Sequence, residues 1–296
     1  MSKTLTFFGS GPVAARSLDL LARNFEIEAV ITKPQPPHHK QTFPVIAVAQ
    51  KLGLKLLYTA NKSELSALFG QKPVSSQIGV VIDYGIIIPQ AVIDYFPLGI
   101  INSHFSLLPR WRGADPISFA ILSGDSETGV SLMRIVSALD EGPLLAQESL
   151  TVAPDATTPS LTEELIHLSD QMLSKYLPQY MDGQLGPVPQ PADGATYSRK
   201  LEKSDSQLDF NKTAVELERE IRAFTGWPRS RMRIGGTDVV VTKAHVAEGS
   251  GTPGQIWRQD KSLGVYTSGG VLVIDSLIPA GKKEMPTAAF LAGYQI

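Results

Sequence analysis

Residues 100–109 read Ile-Ile-Asn-Ser-His-Phe-Ser-Leu-Leu-Pro, an apolar run that leads directly into Asn102 and His104. Because side chains alternate along a strand, a strand here places Asn102 and His104 on one face and Ser103 on the other. A carboxamide and an imidazole at the end of a buried strand can bind an oxyanion and move a proton. The stretch Leu139-Asp140-Glu141-Gly142 supplies a carboxylate that could orient the imidazole. This pattern predicts acyl transfer to an amine without a covalent enzyme intermediate.

The surrounding segments alternate short apolar runs with helical patterns over residues 1–150. Such alternation predicts a parallel sheet covered by helices. Strands are expected at residues 4–8, 27–31, 55–58, 78–82, 99–102 and 129–135, and a helix is expected at residues 44–52. In sheets of this kind the functional residues lie beyond the carboxyl ends of the strands, which is where Asn102 and His104 fall.

The second half of the chain has a different pattern. A helix is expected at residues 160–177, stopped by Pro178 and followed by a proline-rich linker. Thr213 and Glu216 form a capping-box pattern that predicts the start of a further helix. Short apolar runs follow at residues 239–241, 256–257, 263–266 and 271–274, separated by turns that mostly contain glycine. They predict a small β-barrel or sandwich.

Composition limits the possible classes of protein. The chain has 296 residues, of which 43% are hydrophobic and 19% charged, with a net charge of −2. Its length allows two domains, and its small net charge gives no global electrostatic case for binding nucleic acid or a membrane. The absence of cysteine excludes disulfides, thiolate catalysis and zinc–cysteine sites. No apolar segment is long enough for a signal peptide or a membrane span, so a cytoplasmic enzyme is expected.

Several features have simpler interpretations that compete with a functional one. Gly9-x-Gly11 could bind phosphate, but Ala14 stands where a dinucleotide fingerprint needs its third glycine, so a tight strand-to-helix turn is favoured. His104 alone could be an ordinary core histidine; the carboxamide on the same face favours a functional role. Asp140 could merely cap a turn.

Two further loops also have competing interpretations. Arg110 and Arg112 flank Trp111 directly after the candidate site, and such a loop can hold a carboxylate, a phosphate or a stacked ring. Trp111 could equally lock the loop by packing. His38 and His39 lie in a proline-rich loop with too few ligands for a metal site, so a solvated loop is favoured.

The chain resembles the methionyl-tRNA formyltransferases along nearly its whole length. The most specific matching segment is Asn102-Ser-His104-x-Ser106-Leu-Leu-Pro109-Arg-Trp-Arg-Gly113. Further matching segments lie at residues 84–89, 123–124, 128–130, 139–142, 197–200, 208–210, 221–224, 227–228 and 281–285. The resemblance implies an α/β protein with a Rossmann-like parallel-sheet catalytic domain at residues 1–186 and a linker at 187–204. A smaller OB-like β-barrel domain that binds tRNA is expected at 205–296.

The resemblance also implies an activity and a set of site residues. Members transfer the formyl group of 10-formyltetrahydrofolate to the α-amine of methionine on initiator tRNA, and no metal is expected. The implied catalytic residues are Asn102, His104 and Asp140. The implied folate-binding residues are Ser106, Leu107, Leu108, Pro109, Ile86, Ile88 and Pro89. The expected substrate contacts are Arg110, Trp111, Arg112, Lys33, Lys40, Arg222 and Arg229. A monomer is expected.

The chain departs from the family pattern at two places. The loop after the second strand, which contains Lys33 and Lys40, is shorter and less basic than is common in the family. The usual Asp-x-Gly-Asp reads Asp140-Glu141-Gly142-Pro143, a change seen among formyltransferases for sugars and nucleotides. Two alternatives therefore stay open: a folate-dependent N-formyltransferase for an amino sugar or another small amine, and a non-catalytic RNA-binding protein on the same scaffold.

Overall fold

A computed structural model describes residues 3–35 and 42–296. The chain divides into two compact units that are interleaved along the sequence. The first unit comprises Met1–Gly113, Thr128–Leu150 and Thr162–Tyr197, and the second comprises Ala114–Glu127, Thr151–Leu161 and Ser198–Ile296. Residues 187–197, expected to belong to a linker, thus pack with the first unit.

The first part of the chain alternates strands and helices as expected. The strands up to residue 198 are β1 (Thr4–Phe8), β2 (Glu26–Thr32), β3 (Leu56–Tyr58), β4 (Gly79–Val81), β5 (Ile100–His104), β6 (Arg112–Gly113), β7 (Glu127–Arg134), β8 (Leu144–Thr151) and β9 (Tyr197–Ser198). The helices are α1 (Pro12–Leu21), α2 (Pro44–Lys51), α3 (Lys62–Gly70), α4 (Gln90–Ile93), α5 (Pro116–Ser123) and α6 (Thr158–Met181). All six expected strands of this region are present.

Seven of these strands form one sheet in the order β3-β2-β1-β4-β5-β7-β8. The neighbours from β3 to β5 pair in parallel, whereas β7 pairs with β5 antiparallel. The expected parallel sheet is present from β3 to β5, and the antiparallel pairing of β7 with β5 makes the whole sheet mixed. Strand direction depends on the path of the connecting chain, which the local apolar pattern does not encode. The expected Rossmann-like α/β class is confirmed.

The Gly9-x-Gly11 segment is the tight turn that the sequence favoured. It joins β1 to α1, and Gly9 lies against both elements. A Cβ at Gly9 would lie 2.5 Å from the Ala14 Cβ and 2.6 Å from the Phe7 ring. Glycine is thus needed here for close packing of strand against helix.

Helix α6 continues past Pro178 to its end at Met181, whereas the sequence pattern predicted an end at residue 177. A proline inside a helix removes the hydrogen bond of its own missing N–H, and its ring crowds the carbonyl four residues earlier. Leu177 and Tyr180, on either side of Pro178, are both buried in the first unit. Their burial favours continuation of the helix against this local cost of the proline.

The second unit is an antiparallel β domain with helices. Its strands are β10 (Ser230–Ile234), β11 (Thr237–Ala247), β12 (Ile256–Gln259), β13 (Ser262–Tyr266), β14 (Val271–Pro279) and β15 (Met285–Pro286), and its helices include α7 (Ala214–Ala223) and α8 (Thr287–Gly293). The strand order is β10-β11-β14-β13-β12, with β15 on β14. Strand β10 was not predicted, because two arginines alternate with its core-facing Met232 and Ile234. The separate C-terminal β domain is confirmed.

Thr213 caps α7 as predicted. Its hydroxyl accepts from the Glu216 backbone N–H, and the Glu216 carboxylate accepts from the Thr213 backbone N–H. The helix packs Leu217 and Ile221 into the core of the β domain. Across residues 3–35 and 42–296, no helix combines the length and apolar character that crossing a membrane requires.

A buried carboxylate in α7 makes stability depend on pH. Glu220 is 7% exposed, and its carboxylate pairs with the Lys212 ammonium. Burial raises the pKa of Glu220 above its ordinary value of 4.5. The folded chain therefore keeps this proton to higher pH than the unfolded chain does. Consequently, the contribution of Glu220 to the free energy of unfolding falls as pH rises from 4.5 through the folded pKa.

We expect Glu220→Gln to reduce this fall in stability, because the neutral amide carries no desolvation penalty and Lys212 is exposed enough to be hydrated. Urea unfolding at about pH 5 and about pH 7.5 measures the change. Glu163→Gln, at an exposed position of the first unit, is the control. Identical pH dependence in wild type and Glu220→Gln would contradict the assignment.

Candidate active site

Strand β5 delivers Asn102 and His104 to one face of the sheet, as the alternation predicted. Ser103 points to the opposite face, where its hydroxyl lies 2.6 Å from the Ser169 hydroxyl on α6. His104 is the last residue of β5, and Asn102 lies two residues before it, opposite the last residue of β4. The polar side chains therefore lie on the face of the sheet that the alternation in residues 100–104 predicted.

The His104 imidazole has a defined orientation. It is 7% exposed, and its Nε2 lies 2.9 Å from the Trp111 carbonyl oxygen. A carbonyl only accepts, so Nε2 carries a hydrogen and donates it to Trp111. Nδ1 faces the Asp140 carboxylate, with Oδ2 at 3.8 Å. Nδ1 is therefore the atom through which His104 can take up or release a proton.

The Asn102 carboxamide is available to a ligand. The residue is half-buried at the end of β5, beside the carboxyl end of β4. Within the described residues, no hydrogen bond from its side chain is found, although its neighbour Ser103 is fully engaged. A carboxamide left without a protein partner at a half-buried position can donate to an incoming oxygen.

Asp140 comes from the loop between β7 and β8 and is brought to His104. Its backbone has a positive φ of 51°, which residues other than glycine adopt rarely. Its Oδ2 accepts a hydrogen bond from the Gly113 backbone N–H at 2.8 Å. A Cβ at Gly142 would lie 1.7 Å from the Arg134 carbonyl oxygen, so the loop closes only with glycine there. Asp140 is thus fixed by its surroundings and does more than cap a turn.

Two residues that the sequence did not reveal hold the turn at residues 106–109. The Ser131 hydroxyl donates to the Ser106 carbonyl at 2.6 Å and accepts from the Leu108 N–H at 3.0 Å. Gln147 Nε2 donates to the Leu108 carbonyl and to Ser131 Oγ, both at 2.8 Å. The Ser106 hydroxyl itself donates to the Arg110 carbonyl at 2.6 Å.

These bonds divide the expected folate-binding residues by accessibility. Ser106 and Leu108 are buried, whereas Leu107 and Pro109 are half-buried. Ser106 and Leu108 therefore shape the turn from beneath, and only Leu107 and Pro109 offer side-chain surface. The Ser106 hydroxyl is used within the turn, and the expectation that this turn binds the folate stays a prediction.

The second expected folate segment, residues 86–89, is also partly internal. Ile88 and Pro89 are buried, and Ile86 is half-buried. Ile87, which is not among the expected folate-binding residues, is 76% exposed. Tyr84, two residues before the segment, is buried with its hydroxyl 2.6 Å from the Thr59 hydroxyl, and this burial raises the pKa of Tyr84 to about 12. Tyr84 therefore stays neutral and anchors the segment.

The residues 110–112 take two different roles. The Arg110 guanidinium lies 4.4 Å from the centre of the Trp111 ring and stacks on it. Arg112 turns inward: its Nη1 lies 3.1 Å from Glu141 Oε1 and its Nη2 donates to Gln190 Oε1 at 2.8 Å. Arg112 thus braces the site through these two contacts, and its expected role as a substrate contact stays a prediction.

The four remaining expected contacts are spread over the chain. Lys33 donates from Nζ to the Gly85 carbonyl at 3.0 Å. Lys40 lies outside the described residues. Arg222 donates to Glu218 at 2.6 and 2.9 Å and to the Ala156 carbonyl at 3.0 Å, and its expected role as a substrate contact stays a prediction. Arg229 is exposed.

The arrangement supports acid–base and oxyanion chemistry. Asn102 and His104 can converge on one oxygen from the same strand face, and Asp140 stands behind the imidazole. Over the described ranges, no group of three or more His, Cys, Asp or Glu residues is placed to hold a metal ion.

Comparisons with known proteins identify relatives of both parts of the chain. Residues 4–177 match the family model described as formyl transferase, and residues 200–295 match the one described as formyl transferase, C-terminal domain. The methionyl-tRNA formyltransferase of Myxococcus xanthus is 37% identical and covers 99% of this chain and 95% of its own length. The methionyl-tRNA formyltransferase of Paramagnetospirillum magneticum is 36% identical, and the match covers 99% of this chain and 97% of that protein.

Solved structures share the fold at low sequence identity. The N-formyltransferase from Helicobacter canadensis, in complex with folinic acid and dTDP-3-aminofucose, gives a TM-score of 0.69 at 17% identity over 96% of this chain and 100% of its own. HypX from Aquifex aeolicus, in complex with tetrahydrofolic acid, gives a TM-score of 0.64 at 18% identity. The match covers 98% of this chain and 46% of HypX. At these identities the likeness establishes the fold alone.

Proposed function

The chain belongs to the methionyl-tRNA formyltransferase family, and we propose that it moves the formyl group of 10-formyltetrahydrofolate to the α-amine of methionine on initiator tRNA. The observation that carries this proposal is the convergence of Asn102, His104 and Asp140 at the end of β5 in a chain 37% identical to a relative of that name. The same proposal includes the domain bounds that the resemblance implies, with a catalytic domain at 1–186, a linker at 187–204 and a tRNA-binding domain at 205–296. It also includes action as a monomer in the cytoplasm.

The proposed chemistry is direct attack. The amine nitrogen forms a bond to the formyl carbon, and the carbonyl oxygen becomes an oxyanion. Asn102 and the Nδ1–H of a protonated His104 donate hydrogen bonds to this oxygen, which is the role of an oxyanion hole. Collapse breaks the bond between the formyl carbon and the folate nitrogen. Asp140 assists by accepting the proton of the amine, directly or through water, and that proton goes to the leaving nitrogen.

For the folate donor we propose a pocket whose surface is supplied by the half-buried residues of the two turns, Leu107, Pro109 and Ile86. Apolar surface of this kind suits the flat ring of a pterin. Ser131 and Gln147 support it by fixing the backbone on which two of these side chains stand. The proposal is consistent with solved relatives of this fold that hold folinic acid or tetrahydrofolic acid.

For tRNA we propose phosphate contacts by the exposed Arg229, with Arg110 and Trp111 near the acceptor end. We expect Arg229→Gln to weaken tRNA binding and to reduce the slope of log Kd against log salt concentration by about one. Filter binding from low to moderate salt measures both quantities. Arg23→Gln, exposed on α1's C-terminal flank, is the matched control. An unchanged slope would exclude Arg229 from the interface.

A second candidate function is formyl transfer to an amino sugar. Pro143 stands where the family usually carries a second aspartate, and an N-formyltransferase complexed with dTDP-3-aminofucose shares the fold. Transfer from 10-formyltetrahydrofolate is therefore measured to methionyl initiator tRNA and to a nucleotide-linked amino sugar in parallel. Transfer to tRNA that weakens steeply with salt supports the leading proposal, and transfer to the sugar alone contradicts it.

A further inference from the structure

We infer that Gln190 is a positioning residue that sets the Asp140 carboxylate against His104, an inference that rests on the proposed function. Gln190 lies among the prolines whose spacing predicted a linker. Within the first unit it joins the two segments that flank the imidazole. No role for Gln190 followed from the sequence pattern.

The segment that carries Gln190 is anchored on both sides. Val188 and Leu144 exchange two backbone hydrogen bonds, at 2.7 and 2.8 Å, next to the start of β8. Thr196 accepts from the Arg112 N–H through its carbonyl at 2.9 Å and from the Trp111 N–H through its hydroxyl at 2.9 Å. The chain is therefore anchored two residues before Gln190 and six residues after it.

The Gln190 carboxamide forms three hydrogen bonds. Its Nε2 donates to the Asp140 carbonyl at 2.7 Å and to the Gly142 carbonyl at 2.8 Å. Its Oε1 accepts from Arg112 Nη2 at 2.8 Å, and Nη1 of the same guanidinium reaches Glu141. Carbonyls only accept and a guanidinium only donates, so the partners determine which end of the amide faces which segment.

These bonds control the surroundings of His104. The Trp111 carbonyl accepts from Nε2, and the Asp140 carboxylate faces Nδ1. Gln190 connects the turn of Asp140 to Arg112, the residue after Trp111. Asp140 also keeps a positive φ, which persists only where neighbouring contacts hold it. Without Gln190 the carboxylate can move away from the imidazole.

The kinetic test uses Gln190→Glu, which keeps the oxygen that Arg112 contacts but replaces the donor to both carbonyls by a second oxygen. We expect kcat for transfer to methionyl initiator tRNA to fall about 10²-fold, the size of effect that a small misplacement of a reacting group produces. The KM for the folate donor should change by less than about threefold. Gln179→Glu, whose Nε2 donates to a carbonyl within α6, is the matched control. A lower Tm with unchanged kcat would overturn the inference.

A double-mutant cycle tests whether Gln190 acts through Asp140. In an Asp140→Asn background, we expect Gln190→Glu to lower kcat by less than about threefold more, because the charge that it positions is already absent. Losses that multiply fully in the double variant would show independent action and overturn the inference.

Hydrogen exchange provides a readout without turnover. The Gly113 N–H donates to Asp140 Oδ2, so its protection reports where the carboxylate lies. We expect Gln190→Glu to accelerate exchange at Gly113 about tenfold or more, with β5 unaffected. Unchanged protection overturns the inference. If the wild-type chain fails to formylate methionyl-tRNA, the proposed function fails, and exchange still decides whether Gln190 holds Asp140.

Discussion

Replacing His104 by alanine lowers the rate of formyl transfer by a factor on the order of 10²–10⁴, the range observed when a positioned acid–base group is lost. His104 contacts both flanking segments, through the Trp111 carbonyl and the Asp140 carboxylate. Its removal takes away a donor to the oxyanion and the group through which Asp140 acts. Single-turnover assays with saturating folate donor and methionyl initiator tRNA measure the chemical step directly.

The matched control for His104→Ala is Ser103→Ala on the same strand. Ser103 is as deeply buried, but its hydroxyl contacts Ser169 on the other face of the sheet. We expect Ser103→Ala to lower stability by about 1 kcal/mol and to leave the rate unchanged. Equal activity of His104→Ala and wild type would exclude the imidazole from the chemistry.

Local sequence pattern was sufficient to predict the strand that carries the site. Apolar residues followed by Asn102 and His104 at a spacing of two predicted the face, and the alternation of Ser103 to the opposite face is confirmed by its contact with α6. The helix start at Thr213 was also predicted, because a capping box is formed by residues within one turn.

Interactions between distant segments were not predictable in this way. The reversal of β7 against β5 and the pairing of Val188 with Leu144 join residues whose local patterns carry no mark of each other. Proline-rich composition favours turns, which is why residues 187–197 were interpreted as a linker. The sequence did not predict the bracing roles of Ser131, Gln147 and Gln190 for the same reason. A polar side chain shows such a role only through its hydrogen-bond partners.

We expect the exchange of Asn102 for aspartate to lower the rate of formyl transfer strongly. The two side chains have the same shape, but aspartate replaces the N–H donor by an oxygen and adds a negative charge beside the developing oxyanion. Loss of one such donor lowers the rate by about 10²–10³-fold. The added repulsion acts in the same direction, so we expect Asn102→Asp to fall below Asn102→Ala in single-turnover rate.

The relative single-turnover rates of Asn102→Asp and Asn102→Ala distinguish an electrostatic role of Asn102 from a packing role. If Asn102 only filled space, aspartate would preserve activity and alanine would lose more, because alanine leaves the larger gap. If Asn102 stabilises negative charge, the isosteric aspartate is the worse enzyme. Asn24→Asp, on a surface residue whose amide donates to Ser174, shows the effect of the same chemical change away from the site. A rate for Asn102→Asp equal to wild type would contradict the oxyanion role and leave His104 as the sole donor.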